Sequence, residues 1–215
     1  MKLYDYFRSS ACFRVRIALN VKALSYEKIS IHLVNHGGEQ RSPEYQAINP
    51  QALVPTLQDD DKTLTQSLAI IEYLNDQYPT PPLLPQDAYT KARVRAFALA
   101  IAADVHPLNN LRVLKYLTDD LKISEELKNQ WYQHWIAKGL SALEAQLNDV
   151  THKTFCFGES PSIADIFLIP QLYNAERFKC DLTPYPRLMR IYTHCKTLPE
   201  FMNAWPIEDM RNTIK

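Results

Sequence analysis

Two adjacent serines near the N-terminus, Ser9 and Ser10, stand where hydroxyl groups can stabilise a bound anion. Hydrophobic patterning predicts a strand over residues 1–6, a tight loop over 7–10 and a helix over 11–20. A helix start offers unpaired backbone N–H groups and the positive end of the helix dipole, and the two hydroxyls can donate further hydrogen bonds. An anionic sulfur is one candidate ligand, whereas the alternative is that Ser10 simply caps the helix.

Two later segments could bind the rest of a small peptide ligand. Pro55 stands at the entry of a predicted strand, where it cannot donate to the ladder and can form a cis peptide bond in a sharp turn. In such a turn the backbone amide and carbonyl of Val54 face outward and can pair with a peptide backbone, although by itself an ordinary edge-strand proline is the simpler explanation. Gln66 and Ser67 open another predicted helix, where Ser67 can cap and neighbouring N–H groups can face a carboxylate.

The elements that must position these residues alternate between strands and helices over the first eighty residues. The order is βαβαββα, which implies a mixed sheet covered by helices and connected by right-handed crossovers. After the first strand and helix, the pattern predicts a strand, a short helix, a hairpin with an acidic turn and a further helix, over residues 26–31, 43–47, 54–65 and 66–75.

A proline-rich segment then separates this region from a helical one. Four prolines within residues 78–87 exclude a regular helix or a central strand, so we predict a linker over 79–87. The predicted domains are therefore an α/β domain over 1–80 and an all-α domain over 88–215. Its helices are predicted over residues 89–105, 107–117, 125–147, 162–175 and 185–197. The pair Ser162 and Asp165 fits a capping box, to which we assign a role in folding.

Composition restricts the class of protein. The 215 residues include 24 acidic and 24 basic side chains, so no global field draws the protein to nucleic acid or an anionic membrane. The four cysteines are scattered and the six histidines form no metal-ligand pair, which argues against a disulfide framework or a metal site. The most apolar stretches, residues 96–103 and 163–169, are too short to cross a bilayer. We expect a cytoplasmic protein that binds no nucleic acid, membrane or metal ion.

Taken together, these features resemble the cytosolic glutathione transferases and match the zeta class most closely. The resemblance covers nearly the whole chain, and it implies a thioredoxin-like N-terminal domain, a C-terminal helical domain and a homodimer. The stretches that carry it are Tyr6–Leu19 (YFRSSACFRVRIAL), Asn49-Pro50, Val54–Leu57 (VPTL), Gln66–Leu74 (QSLAIIEYL), Leu83–Pro85 (LLP), His106–Leu111 (HPLNNL) and Asn174–Pro186 (NAERFKCDLTPYP).

The resemblance also implies a glutathione site. Ser9 and Ser10 would contact the sulfur as the catalytic residues. The full set implied to contact the cofactor is Ser9, Ser10, Ala11, Cys12, Gln40, Val54, Pro55, Gln66, Ser67, His106 and Asn110. The chain departs from the usual zeta signature, since Ala11 occupies the position of the cysteine and Cys12 follows it. Phe13 replaces a tryptophan, and His106 stands where members often have glutamine.

The expected effect of the two serines on a thiol can be estimated. A free thiol has a pKa of about 8.5, so only a few per cent is ionised at neutral pH. A hydrogen bond to a charged partner contributes about 1.5–3 kcal/mol and a helix start up to about 1 kcal/mol. At about 1.4 kcal/mol per unit, together they lower the thiol pKa by roughly two units. A serine is not a strong base, so its role is electrostatic.

The activity that the resemblance implies is the glutathione-dependent cis–trans isomerisation of maleylacetoacetate to fumarylacetoacetate, in tyrosine and phenylalanine breakdown. The substrate is a dicarboxylic keto acid, and guanidinium groups bind carboxylates in bidentate fashion, which selects Arg8, Arg177 and, more weakly, Arg112. Each arginine could instead form a surface ion pair.

Other functions stay open at this point. Maleylpyruvate carries the same maleyl group and is an alternative substrate. A general glutathione transferase or peroxidase, acting on halogenated acids or hydroperoxides, and a non-catalytic binding protein of the same fold are further alternatives. Cys12 in a helix's first turn also suggests a redox thiol, although it lacks a resolving partner and could point into the domain.

Overall fold

The computed structural model of the chain describes residues 1–150 and 153–207. These residues form two compact units, Pro82–Thr197 and a unit that combines Met1–Pro81 with the described residues from Leu198 onward. The predicted helical domain ends at residue 215, so its residues 151–152 and 208–215 lie outside the described residues. The described residues after Leu198 group with the first unit, which differs from the predicted division.

The first unit contains a four-stranded sheet with the strand order β2-β1-β3-β4. Strand β1 pairs in parallel with β2 and antiparallel with β3, which in turn forms an antiparallel hairpin with β4. This arrangement confirms the mixed sheet that the sequence predicts. The elements of this unit are β1 (Lys2–Asp5), α1 (Ser10–Val21), β2 (Glu27–Ser30), α2 (Pro43–Ile48), β3 (Thr56–Asp59), β4 (Lys62–Thr65), α3 (Ser67–Gln77) and α9 (Pro199–Met202).

Helix α1 is the central element of the first unit, since nearly all of its side chains are buried. Leu3 of β1 and Leu57 of β3 are completely buried in the same unit, as are six apolar side chains of the helix, Cys12, Phe13, Val15, Ile17, Ala18 and Leu19. The C-terminal segment packs against α1, where the Asn20 amide donates to the Glu200 carbonyl at 2.9 Å. The rings of Phe13 and Trp205 meet edge to face, with centroids 5.4 Å apart. These contacts explain why the C-terminal segment belongs to this unit.

The second unit is helical, as predicted, but two of its helices are interrupted. The helix predicted over 89–105 begins as an α-helix and continues as a π-helical segment. The helix predicted over 107–117 is replaced by a short 3-10 turn that begins at Pro107, a short α-helix and the start of a second π-helical segment. The elements are α4 (Ala88–Leu99), the π segment Ala100–Val105, the 3-10 turn Pro107–Asn109, α5 (Leu111–Lys115), a second π segment (Tyr116–Asp120), α6 (Glu125–Gln146), the 3-10 turn Asn148–Val150, α7 (Ile163–Arg177) and α8 (Pro186–Cys195).

Helix α7 forms the buried centre of the second unit, and its start is fixed by the predicted capping box. The Asp165 carboxylate accepts hydrogen bonds from the backbone N–H and the hydroxyl of Ser162, both at 2.8 Å. Its other oxygen accepts from the Cys156 N–H, also at 2.8 Å. All of these groups are buried, so the box satisfies polar groups that water cannot reach, and the predicted role in folding is confirmed.

Candidate active site

The loop before α1 turns the chain sharply from β1 into the helix. The Ser9 N–H donates to the Tyr6 carbonyl at 2.9 Å, and the Ser9 hydroxyl oxygen accepts from the Cys12 N–H at 3.2 Å. Ser9 is therefore the N-cap of α1, which corrects the expectation that Ser10 holds this position. A serine hydroxyl that accepts through a lone pair still has its O–H proton to donate, so the capping contact leaves Ser9 able to bind an anion.

The two serines differ in exposure. Ser10 is the first residue of the helix and only 4% exposed, whereas Ser9 is half-buried. Ala11 follows with a half-buried side chain, and its backbone N–H has no hydrogen-bond partner among the described residues. The more accessible hydroxyl and an open N–H group thus occupy the helix start together.

Cys12 points into the first unit and not toward a ligand. Its side chain is completely buried, packs in one cluster with Tyr6, Tyr45 and Val54, and accepts a hydrogen bond from the Tyr6 N–H at 3.4 Å. Burial, followed by the nearby Asp5 carboxylate, raises the pKa of the thiol well above its ordinary value. A buried thiol with a raised pKa is unreactive, which argues against the redox role and against a side-chain contact with the cofactor.

The turn at Val54 contains the expected cis peptide bond to Pro55. Its geometry depends on the residues just before it, because the Tyr45 hydroxyl and the Asn49 amide both donate to the Leu53 carbonyl at 2.7 Å. The main chain of Val54 makes no hydrogen bond to any part of the chain that the structure describes. It therefore retains the donor and acceptor that a peptide ligand would need.

The start of α3 differs from the expected cap. Gln66 precedes the helix with φ at +67°, a left-handed conformation that costs a residue with a side chain about 1–3 kcal/mol. Ser67 is the first helical residue and does not cap; its hydroxyl accepts from the Arg14 guanidinium at 3.3 Å. The Gln66 amide donates to the Gln51 side chain at 3.0 Å. Strain of this kind is common at ligand sites, and Gln51 is a neighbour that the sequence analysis missed.

Helix α1 brings these three segments of the first unit together. Cys12 shares a buried cluster with Val54, and Arg14 contacts Ser67 at the start of α3. Residues of one helix thereby contact the cis-proline turn and the α3 start. Three of the segments that carry predicted candidates of the first unit are connected in this way.

Arg16 is a further buried residue of α1, and it holds three other segments of the first unit. Its guanidinium donates to the Asp5 carboxylate at 2.5 Å, to the Phe7 carbonyl at 3.1 Å and to the Ala204 carbonyl at 3.0 Å. Phe7 belongs to the loop that leads to Ser9, so Arg16 fixes the peptide group before the candidate catalytic residues.

Gln40 lies in a 3-10 turn between β2 and α2. The side chain is 9% exposed, and its carbonyl oxygen has no hydrogen-bond partner among the residues that the structure describes. It packs directly over Gly38, where an added Cβ would lie 2.6 Å from the amide nitrogen of Gln40. Gly38 has φ at +108°, which favours glycine, and a side chain there would also displace the end of the Gln40 side chain. A buried amide oxygen without a protein partner is a candidate ligand contact.

Arg8 lies in the loop between β1 and α1 and is exposed. Its guanidinium stacks over the ring of Phe7, 4.9 Å from the centroid. The stacking orients a cation one residue before Ser9, as a site for a substrate carboxylate would require.

Three candidates of the second unit, His106, Asn110 and Arg112, lie close in the chain to the turn that follows the first π segment. His106 ends that segment, and Asn110 caps α5 through a 3.1 Å hydrogen bond from the Arg112 N–H. This cap uses one lone pair of the Asn110 side-chain oxygen, so a second lone pair and the amide NH2 are left for a ligand. The side chain of Arg112 is exposed.

Helix α6 is hydrogen-bonded to the turn Pro107–Asn109. The indole N–H of Trp131 donates to the Leu108 carbonyl at 2.9 Å, and the Asn109 amide donates to the Tyr132 carbonyl at 3.2 Å. Gly139 of α6 allows close packing, since an added Cβ would lie 2.2 Å from a methyl carbon of Val105. The sequence gives no signal for these contacts, because they arise from helix packing.

Arg177 ends α7 and is exposed. Its guanidinium lies over the rings of Tyr173 and Phe178, at 5.9 and 5.6 Å, and donates to the Asn174 side chain at 3.2 Å. Phe178 stacks on Tyr132 with centroids 3.7 Å apart. Tyr132 therefore contacts both the turn near His106 and the segment that contains Arg177, which places these two sets of candidates on one support.

Residues 1–150 and 153–207 contain neither a metal-binding cluster nor a membrane-spanning helix. No group of histidine, cysteine and acidic side chains there could hold a metal ion. No helix in the same ranges is long and apolar enough to cross a membrane.

Comparison with known proteins identifies the family of the chain. Residues 3–82 match the glutathione S-transferase N-terminal domain, and residues 126–194 match the glutathione S-transferase C-terminal domain. A probable maleylacetoacetate isomerase of Vibrio cholerae is 50% identical over 95% of this chain and 94% of its own length. The chain therefore belongs to the glutathione S-transferase family.

Solved structures of similar proteins indicate the class within this family. A maleylpyruvate isomerase described as a bacterial zeta-class transferase has a TM-score of 0.94 and 43% identity, over 97% of this chain and 99% of that one. A Methylobacterium extorquens maleylacetoacetate isomerase with bound malonate and glutathione has a TM-score of 0.91 and 38% identity, over 96% of both chains. These similarities confirm the zeta class that the sequence motifs predict.

Proposed function

We propose that this protein is a glutathione-dependent isomerase that converts maleylacetoacetate to fumarylacetoacetate in tyrosine and phenylalanine breakdown. One observation carries the proposal: the half-buried Ser9 hydroxyl bonds to the Cys12 N–H, and Cys12 packs in one cluster with Val54, whose main chain is unpaired among the described residues. The pair suits a small peptide that contains a thiol. The names of the relatives in Vibrio cholerae and Methylobacterium extorquens support the reaction.

The residues of the first unit fit glutathione on two further grounds. The buried Gln40 oxygen lacks a protein partner, and the strained Gln66 precedes the open N–H groups of the α3 start, which favour a carboxylate. We assign the sulfur to Ser9 and Ser10, with the N–H of Ala11 beside them. The remaining contacts are assigned to Gln40, Val54, Pro55, Gln66, Ser67, His106 and Asn110, while Cys12 contributes packing alone.

Bound glutathione supplies a thiolate that adds reversibly to the substrate double bond, which can rotate as a single bond before elimination restores it. The protein stabilises the negative charge on sulfur through the Ser9 hydroxyl and the dipole of α1. Buried Cys12 and Arg16 hold this helix start in place, so the donors need little reorganisation during the reaction. Ser9 acts as a hydrogen-bond donor and not as a base.

The substrate carboxylates are assigned to Arg8, Arg177 and Arg112. All three guanidinium groups are on exposed side chains, and the first two are oriented by aromatic rings. The malonate in the solved relative is itself a dicarboxylate, which supports a site for this class of molecule. Arginine suits it because the planar guanidinium binds a carboxylate through two hydrogen bonds.

We further propose a cytoplasmic homodimer that binds neither nucleic acid nor membrane. The equal numbers of acidic and basic side chains support the absence of a nucleic-acid or membrane partner. Sedimentation of the purified protein tests the dimer, which predicts about twice the mass of 24.9 kDa for one chain.

Maleylpyruvate is the second candidate substrate, because the solved zeta-class maleylpyruvate isomerase shares this fold with a TM-score of 0.94. The test is to assay the purified protein with both compounds under the same conditions. Maleylacetoacetate should give the higher kcat/KM. A higher kcat/KM for maleylpyruvate would make maleylpyruvate the preferred substrate. Turnover of neither compound would refute the proposal that the protein is an isomerase.

A further inference from the structure

A histidine outside the predicted site organises the loop that presents Gln40. The Nδ1 atom of His32 accepts hydrogen bonds from two backbone N–H groups, those of Val34 at 3.2 Å and Asn35 at 2.9 Å. An imidazole nitrogen has to be unprotonated in order to accept a hydrogen bond, so Nδ1 is the acceptor atom here. One acceptor atom thus fixes the first residues of the loop.

The far end of the same loop returns to His32. The Glu39 carboxylate accepts from the His32 N–H at 2.6 Å, and the Glu39 N–H donates to the His32 carbonyl at 2.8 Å. Glu39 immediately precedes Gln40, the residue with the unpaired buried oxygen. Both ends of the loop between β2 and Gln40 are therefore hydrogen-bonded to His32, and the position of Gln40 depends on these hydrogen bonds.

The His32 ring also contacts the loop that leads to Ser9. It meets the Tyr6 ring edge to face at 5.0 Å and 75°, and its centroid lies 6.5 Å from that of Phe7. The Tyr6 carbonyl in turn accepts the hydrogen bond from the Ser9 N–H. A single side chain thus touches both the Gln40 loop and the loop that contains the candidate thiolate donor.

We infer that His32 is a positioning residue for glutathione binding, which holds the segment 33–40 closed through its Nδ1 acceptor; this inference rests on the proposed function. His32 does not touch the reacting atoms. It acts through Gln40, so its loss should weaken glutathione binding and leave the chemical step nearly unchanged once the cofactor is saturating.

Two substitutions separate the acceptor from the ring. In His32→Asn the side-chain oxygen is as many bonds from Cα as Nδ1 is, and asparagine accepts from N–H groups two and three residues ahead in Asx turns. In His32→Phe the aromatic contact with Tyr6 remains, but the acceptor is lost. His36→Asn is the matched control, because His36 is exposed in the same loop and asparagine tolerates its φ of +52°.

The experiment measures glutathione Kd, KM and kcat together with amide hydrogen exchange at Val34 and Asn35 without ligand. We expect His32→Phe to raise the Kd and KM for glutathione about tenfold, since two hydrogen bonds are lost, with kcat within about twofold. Exchange at the two amides should accelerate. His32→Asn and His36→Asn should behave like the unsubstituted protein.

Unchanged glutathione binding in His32→Phe would overturn the inference, and so would equal weakening in His32→Asn. Unchanged amide exchange in His32→Phe would overturn it as well. Failure of the proposed function is distinguishable, because the unsubstituted protein would then bind no glutathione while the exchange measurement still reports on the loop.

Discussion

Ser9 is assigned two functions that a pair of substitutions can separate. Its oxygen caps α1 by accepting from the Cys12 N–H, and its proton is assigned to the glutathione thiolate. Replacing an N-cap serine with alanine costs about 0.5–2 kcal/mol of stability, whereas glycine costs only a few tenths. Ser9→Ala therefore removes both the cap and the donor. Ser9→Gly removes the donor and retains most of the stability of the helix.

The expected change in the bound thiol follows from the energy of the lost hydrogen bond. A bond to a charged group is worth about 1.5–3 kcal/mol, or roughly one to two pKa units. Our estimate for the thiol pKa in the complex is about 6.5, which should rise to between about 7.5 and 8.5 in both variants. The thiolate fraction at neutral pH, and with it the isomerisation rate, should fall by a factor of between about 3 and about 25.

The assay is a pH titration of the ultraviolet absorbance of the thiolate in the glutathione complex, combined with thermal unfolding. Ser9→Ala should unfold at a lower temperature than Ser9→Gly, while the two variants share the same raised thiol pKa. Ser10→Ala is the comparison, and it should shift the thiol pKa less because Ser10 is only 4% exposed. A thiol pKa in Ser9→Gly that stays as low as in the complex of the unsubstituted protein would refute the assignment of the donor.

Three other substitutions test separate parts of the account. Cys12→Ala should leave kcat within about twofold and lower the free energy of unfolding by about 1–3 kcal/mol, and a large loss of activity in the folded variant would restore the redox proposal. Gly139→Ala should cost about 1–3 kcal/mol in denaturant unfolding, since the added methyl overlaps a neighbouring valine; Gly158→Ala has no atom closer than 4.0 Å and should be neutral. Arg177→Gln should raise the KM for maleylacetoacetate about tenfold, unlike Arg190→Gln on α8, and equal effects would remove Arg177 from the substrate site.

Patterns that depend on neighbours in sequence were sufficient for much of the fold. The order of strands and helices in the first unit follows from alternating hydrophobic periods, and the acidic turn at residues 59–61 identifies the β3–β4 hairpin. The Val54-Pro55 turn and the capping box at Ser162 were also recognisable, because each depends on two to four consecutive residues. Local chemistry determines these features, so a single sequence reveals them.

Features that depend on packing or on one residue of register were not predictable. The choice between Ser9 and Ser10 as the cap depends on where the turn from β1 ends, and the left-handed Gln66 displaces the cap expected at Ser67. The orientation of Cys12 follows from the cluster around Val54. The acceptor role of His32 likewise appears only when the loop closes in three dimensions.

The central claim is that the protein uses glutathione as a catalyst and does not consume it. The most direct measurement follows the conversion of a large molar excess of maleylacetoacetate over enzyme, so that each enzyme molecule turns over many times. The amount of free thiol is measured before and after the reaction. The account predicts no turnover without glutathione, full conversion with a trace of it, and an unchanged amount of thiol at the end. Isomerisation without glutathione, or loss of one thiol for each substrate molecule converted, would contradict the account.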